Sequence, residues 1–159
     1  NILVTFHPVT LEYKTSKKQF QELLNAIKGL KNTNIIFTKS NSDIDGRIIN
    51  HMIDEFVNKN FNKSVGFVSL GQLKYLSALQ YVDAIVGNSS SGLLEAPSFK
   101  ITTIDIGDRQ KGRIKVKSII NVKMNTREIT EAIKMTEKLS FKKKIKNVDY
   151  QSFESFLKE

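Results

Sequence analysis

The chain has 159 residues, of which 40% are hydrophobic, enough for one domain with a core of ordinary size. The absence of cysteine excludes disulfides, a thiolate nucleophile and a Cys-based zinc site, and two histidines argue against a His-rich metal site. The formal charge of +9 is uneven, because residues 1–110 hold 12 Lys and Arg against 10 Asp and Glu whereas residues 111–159 hold 13 against 6.

The first run, NILVTF (1–6), reads as a strand and opens without an initiator Met, so a piece of a longer protein is expected. It leads into TFHPVT, where His7 stands at the strand end beside the rigid Pro8. There the imidazole is a candidate phosphate partner or general acid, and a structural or surface role is the rival reading. A helix is predicted from about Ser16, with Ser16 and Gln19 as a capping box and Phe20, Leu23, Leu24 and Ile27 on one face. Gly29 suits its end.

The strand NIIFT (34–38) precedes a helix from about Asp45 with the stripe Ile48, Ile49, Met52, Ile53, Phe56 and Val57. His51 flanks that stripe and is read as structural. VGFVS (65–69) leads to a helix containing Leu73, Leu76 and Leu79, and DAIVG (83–87) leads to the turn NSSSG and a short helix that Pro97 helps to end. ITTIDIG (101–107) and SIINV (118–122) follow as strands. The next helix starts near Asn125, with Glu128 as capping-box partner and Ile129, Ile133 and Met135 as apolar positions, before a last amphipathic segment at 150–157.

Such strand and helix alternation, with connections too long for hairpins, predicts an α/β fold: a doubly wound, Rossmann-like parallel sheet in a single domain over 1–159. Ligands bind such sheets beyond the carboxyl ends of the strands, which directs attention to His7, 41–45, 67–71, 88–91 and 107–113. No GxGxxG fingerprint is present, so a NAD site has no support.

Two of these segments have anion chemistry. Ser89, Ser90 and Ser91 lie where a buried strand passes into a helix, and the first helical N–H groups there lack intrahelical partners. Asn88 or Ser89 acting simply as an N-cap is the competing explanation. Glu95, six residues beyond Ser89, is placed to accept both hydroxyls of a ribose or is an ordinary helix glutamate. IGDRQKGR carries Arg109 and Arg113 in a glycine-bracketed loop, suited either to fork onto phosphate oxygens or to form a basic surface.

Taken together, TFHPVT, GNSSSGLLEAPSF and IGDRQKGR, in this order and spacing, resemble the C-terminal half of UDP-N-acetylglucosamine 2-epimerases. The likeness is strongest to the hydrolysing type, which makes N-acetylmannosamine for sialic-acid synthesis. It covers nearly the whole chain and implies one half of a two-domain fold of the glycosyltransferase B type, with the active site between the halves. It also implies that Ser89, Ser90 and Ser91 hold the diphosphate, Glu95 binds ribose, and His7 is catalytic or contacts phosphate. Arg109 would lie near the diphosphate or shape the cleft, with Arg113 of the same loop a further substrate-binding candidate, and Phe67 and Val68 match the region that receives uracil.

The family reaction removes the C2 proton and eliminates UDP to give a 2-acetamidoglucal, to which water adds. The acid and base carboxylates come largely from the N-terminal half, so this half alone is expected to bind UDP weakly and to be inactive. The implied partners are UDP, a UDP-N-acetylhexosamine and the other half of the polypeptide. No cofactor or metal is implied, and homo-oligomerisation stays open. The sugar is either the acetylglucosamine or the diacetylbacillosamine type.

A glycosyltransferase of the same architecture is one alternative. A non-catalytic anion- or RNA-binding module using the basic tail is another, although FKKKIKNVDY shows no nucleic-acid recognition motif. No apolar run approaches the roughly 20 residues of a membrane span and no signal peptide is visible, so a cytoplasmic protein without a membrane partner is expected.

Overall fold

Strand residues alternate between two faces, and here both faces are apolar. Ile2, Val4 and Phe6 point into one core while Leu3 points into another, as Ala84 and Val86 do against Ile85. That pattern requires a sheet covered on both sides. The computed structural model, which describes residues 1–9 and 15–138, has this form.

Six strands, β1 (Ile2–Thr5), β2 (Ile35–Thr38), β3 (Ser64–Phe67), β4 (Ala84–Gly87), β5 (Thr102–Ile106) and β6 (Ile119–Val122), pair in the order β3-β2-β1-β4-β5-β6. All five pairings are parallel. The helices are α1 (Ser16–Lys28), α2 (Ile44–Lys59), α3 (Gly71–Leu79), α4 (Ser91–Leu94) and α5 (Thr126–Glu137), with a 3-10 turn at Ala96–Phe99. The predicted doubly wound α/β architecture is therefore present. None of the described helices is long and apolar enough to cross a membrane.

From β1 the chain builds outward through β2 to β3, then returns to place β4 on the other side of β1. The crevice for a ligand opens at this reversal, beyond the ends of β1 and β4. Two asparagines hold the strand ends beside it. Asn50 of α2 clamps Ser40, the second residue after β2, accepting from its N–H at 2.8 Å and donating to its carbonyl at 3.1 Å. Asn88 does the same for His7 across β1 and β4, at 2.8 Å in both directions.

Local signals erred where the fold supplied different partners. Ser16 and Gln19 do not form the predicted capping box: Thr15 takes the cap position in helical conformation, without a side-chain cap bond, and Ser16 is buried in the first turn. Helix α2 starts one residue before Asp45, with Asp43 as its cap, the carboxylate accepting from the Gly46 N–H at 2.6 Å. A Cβ on Gly46 would lie 1.8 Å from the Asn41 carbonyl oxygen, so glycine is required there.

Asn125 does cap α5, accepting from the Glu128 N–H at 2.9 Å. Glu128, however, reaches the Lys123 N–H at 2.8 Å, because the Asn125 N–H already serves the Lys123 carbonyl. Of the predicted apolar positions, Ile48, Leu73 and Met135 are exposed, each turned away from the sheet at the margin of its stripe. The segment at 150–157, including Phe153 and Phe156, and the lysine cluster at 142–146 lie outside the described residues.

Candidate active-site cleft

The site is organised around Asn88, the first residue after β4. Gly87, which ends β4, has φ +151°, and a Cβ there would meet the Thr5 carbonyl oxygen at 1.9 Å. This close approach of β4 to β1 carries Asn88 to the end of β1, fully buried. Beyond its two bonds to His7, the Asn88 carbonyl accepts from Arg109 Nη1 at 3.0 Å and from Gln110 Nε2 at 2.8 Å. One residue thus joins the ends of β1 and β4 to the loop after β5. Asn88 is therefore not the N-cap that the local sequence allowed, and neither is Ser89. Ser90 occupies the cap position with helical angles and no side-chain cap bond.

The serine turn leaves donors uncommitted. The first helical bonds run from the N–H groups of Gly92 and Leu93 to the carbonyls of Ser89 and Ser90. Ser91 N–H has only a long 3.4 Å approach to Ser89 Oγ. The N–H groups of Ser89 and Ser90 have no partner among the described residues. Gly92 lets the turn sit on the sheet, since a Cβ would come 2.6 Å from Thr103 Cγ2, while Thr103 Oγ1 donates to its carbonyl at 2.5 Å.

A cavity of about 430 Å³ opens beside this turn, its wall including His7, Val68, Tyr75, Ser89, Ser91 and Glu95. Tyr75 of α3 shares a hydrogen bond between its hydroxyl and Ser91 Oγ, which fixes that serine. Burial raises the Tyr75 pKa; the Ser91 bond opposes the rise and the Glu95 charge adds to it. Burial likewise raises the Glu95 carboxyl above its ordinary value. His7 is shifted down, first by burial and then by the Arg109 charge, with Asp43 opposing. Its ordinary value is 6.5, so at neutral pH it is a neutral imidazole, with Ser40 Oγ 3.4 Å from Nδ1. In that state it can accept or relay a proton but is not a fixed cation for phosphate.

A second cavity, of about 660 Å³, lies past the ends of β5 and β6 and is lined by Arg109, Lys111, Arg113, Lys115 and Lys123, with Asp108 and Glu128 among its other residues. The structure thus gathers His7, Val68, Ser89, Ser91 and Glu95 around one cavity and places Arg109 and Arg113 on the other. Ser90 belongs to the turn without lining either cavity, and Phe67 is committed to the sheet, its carbonyl accepting from the Lys39 N–H at 2.9 Å. Arg109 links the two regions through Asn88 and through its charge on His7. Reading of the sequence missed Asn88 as organiser and overlooked Tyr75 and Gln110. Tyr75 was open to detection, because it lies four residues before the buried Leu79 on the inward face of α3.

The sequence profile described as UDP-N-acetylglucosamine 2-epimerase matches residues 1–154, a span that includes every one of these side chains. The chain belongs to the UDP-N-acetylglucosamine 2-epimerase family. It is 42% identical over 140 residues to the GDP/UDP-N,N'-diacetylbacillosamine 2-epimerase (hydrolyzing) of Campylobacter jejuni, an alignment covering 88% of this chain and 36% of that protein. It is 39% identical over 140 residues to the polysialic acid biosynthesis protein P7 of Escherichia coli, covering 87% and 35%. The chain therefore spans little more than a third of the length of these relatives.

Its fold superposes with a TM-score of 0.71 on the UDP-GlcNAc 2-epimerase of Neisseria meningitidis bound to UDP-GlcNAc, over 100% of this chain and 45% of that one. At 12% identity in that superposition, the likeness is one of fold. Within this 2-epimerase family, the present chain has the Rossmann-like sheet and places its cleft at the strand-order reversal.

Proposed function

We propose that this domain forms the UDP-binding side of a hydrolysing UDP-sugar 2-epimerase acting in the synthesis of sialic-acid-like or other surface polysaccharides. The family match carries the reading, since it extends across all the strand ends from His7 to Arg113. The hydrolysing activity named for the Campylobacter jejuni relative supports water, rather than returning UDP, as the group that adds. The sugar is a UDP-N-acetylhexosamine, of the acetylglucosamine or diacetylbacillosamine type.

In this reading the uncommitted amides of Ser89 and Ser90 and the hydroxyl of Ser91 receive the diphosphate. Glu95 accepts the ribose hydroxyls, and the backbone at Val68 meets uracil. Phe67 contributes by position alone, because its carbonyl is already bonded. Arg109 and Arg113 approach the diphosphate from the second cavity. Loss of the C2 proton drives anti elimination of UDP, and the charge that builds on the departing phosphate is stabilised by donors already in place. His7, neutral and next to the Arg109 charge, relays a proton near the leaving oxygen. Water then adds to the 2-acetamidoglucal, releasing the epimerised sugar.

The base for C2 comes from residues beyond this domain, which by itself binds UDP and turns over nothing. The working site is in the cytoplasm, where nucleotide sugars are made. Titration with UDP, monitored by amide chemical shifts, is expected to move Ser89, Ser90 and Ser91 and to move them less with cytidine diphosphate. Shifts confined to the lysine cluster at 142–146, or affinity that collapses with salt without base preference, would reject the reading.

A further inference from the structure

The connection from β5 to β6 contains no helix, although parallel neighbours usually use one, and its large apolar residue Ile114 is exposed. Little apolar burial holds it. Gly107 and Gly112, at φ +73° and +85°, turn it back on itself. Two polar anchors remain. The first is the Asn88 carbonyl, gripped by Arg109 and Gln110. The second lies on the sheet itself. Asp105 of β5 is fully buried between Gly87 of β4 and Asn121 of β6 in register. Its Oδ2 accepts from Lys115 Nζ at 2.9 Å, and the same ammonium reaches Asn121 Oδ1. The other oxygen, Oδ1, has no partner among the described residues.

A half-satisfied buried carboxylate is poor material for stability, since apolar residues of similar volume commonly do as well or better in such places. What the pair does supply is a fixed attachment point for Lys115, six residues beyond Arg109 in the same loop. We propose that Asp105 and Lys115 are positioning residues: their ion pair holds the 107–117 loop so that Arg109 is presented to the diphosphate and to His7. The functional part of this inference rests on the UDP-binding reading above; the structural part does not.

The test uses the full-length protein with the pair replaced together, Asp105→Leu with Lys115→Met, so that no buried charge is left alone. Hydrogen exchange is expected to speed up in residues 107–117 while β1 and β4 keep their protection. UDP affinity is expected to fall about ten-fold, as when a charge-assisted contact is loosened, with uridine affinity unchanged within about two-fold. In an Arg109→Met background the same double replacement is expected to have no further effect on UDP.

A loop as protected as in the parent protein would overturn the clamp, whatever happens to UDP. Equal losses for uridine and UDP, or losses that add to that of Arg109→Met, would overturn its action through Arg109. If the parent protein itself fails to prefer UDP over cytidine diphosphate, the functional reading falls, and the exchange measurement still decides whether the clamp exists. Should the double variant not fold, Lys115→Arg and Lys115→Gln serve instead: the arginine is expected to keep the parent loop protection and the glutamine to lose it, and equal protection in the two would overturn the clamp.

Discussion

Helices of 13, 16 and 12 residues, α1, α2 and α5, cover one face of the sheet, whereas the other has α3 with nine, α4 with four and a 3-10 turn. The first face encloses the larger core, including the Phe6 and Phe20 rings 5.4 Å apart and the Phe37 and Phe56 rings 5.5 Å apart. The second encloses a smaller cluster, among the described residues Leu3, Leu79, Val82, Ile85 and Ala96, with partly buried side chains around them. Tyr75, the serine turn and Glu95 all belong to this thinner face. A cavity needs backbone donors and polar side chains left short of partners, and a deep apolar layer would have covered them. The division teaches that the larger apolar core and the serine-turn cavity lie on opposite sides of one sheet.

The comparison breaks if the two faces respond alike to truncation. Phe20→Ala, at a fully buried ring, is expected to cost about 3–5 kcal/mol. Leu79→Ala on the thin face is expected near the low end of the range for such changes, about 2 kcal/mol. Urea unfolding of both measures the contrast, and equal losses would show that the thin face is as fully packed as the other.

Asn88→Ala removes a side chain that satisfies two partly buried groups of His7 and leaves both without that partner. The expected cost is about 2–4 kcal/mol from the lost bonds and orphaned groups. UDP affinity is expected to fall with it, since the ends of β1 and β4 are no longer tied. Urea unfolding together with calorimetric UDP titration tests whether one residue serves both faces.

Glu95→Gln sharpens the contrast by separating function from stability. Its carboxyl pKa is raised by burial, so the charged form is disfavoured in the fold. The sign follows: the folded state carries a penalty at pH above the shifted pKa, and the penalty vanishes below the unfolded value. Removing the charge should leave stability at pH 7 unchanged or slightly higher. UDP affinity should drop about 10- to 100-fold through loss of the charge-assisted bonds to ribose proposed above. Thermal melting and UDP titration check the two halves of this expectation.

The smallest effect concerns His7. Its pKa is lowered by burial and by Arg109, so its protonated form is the disfavoured one. Stability linked to His7 is complete at pH above 6.5 and declines as pH falls through that value toward the folded pKa. Arg109→Met should move the titration of the His7 ring, followed by its carbon-bound proton resonance, back toward 6.5. An unmoved titration would remove the electrostatic link between the β5 loop and the β1 end.

The serine turn, the strand ends and the parallel sheet were legible in the residues themselves. Runs such as Ala84 to Val86 and stripes such as Ile49, Met52, Ile53 and Phe56 encode burial over a few neighbours, so their meaning survives without the fold. Caps were legible only in part. Asn125 found its helix, but Ser16 and Asn88 were drawn into burial that no local pattern announces.

By itself, then, the sequence determined which strands form, to within two residues of their ends, because hydrophobic periodicity is a local property of the chain. Only the tertiary structure decided that Asn88 would grip His7, 81 positions away, that Arg109 would stand behind the serine turn, and that Lys115 would close on a buried Asp105. Those bonds form between strands ordered by the reversal at β1. Which polar groups meet there depends on pairing across the sheet, and hydrogen-bond geometry acts over a few ångströms of space, whatever the distance along the chain.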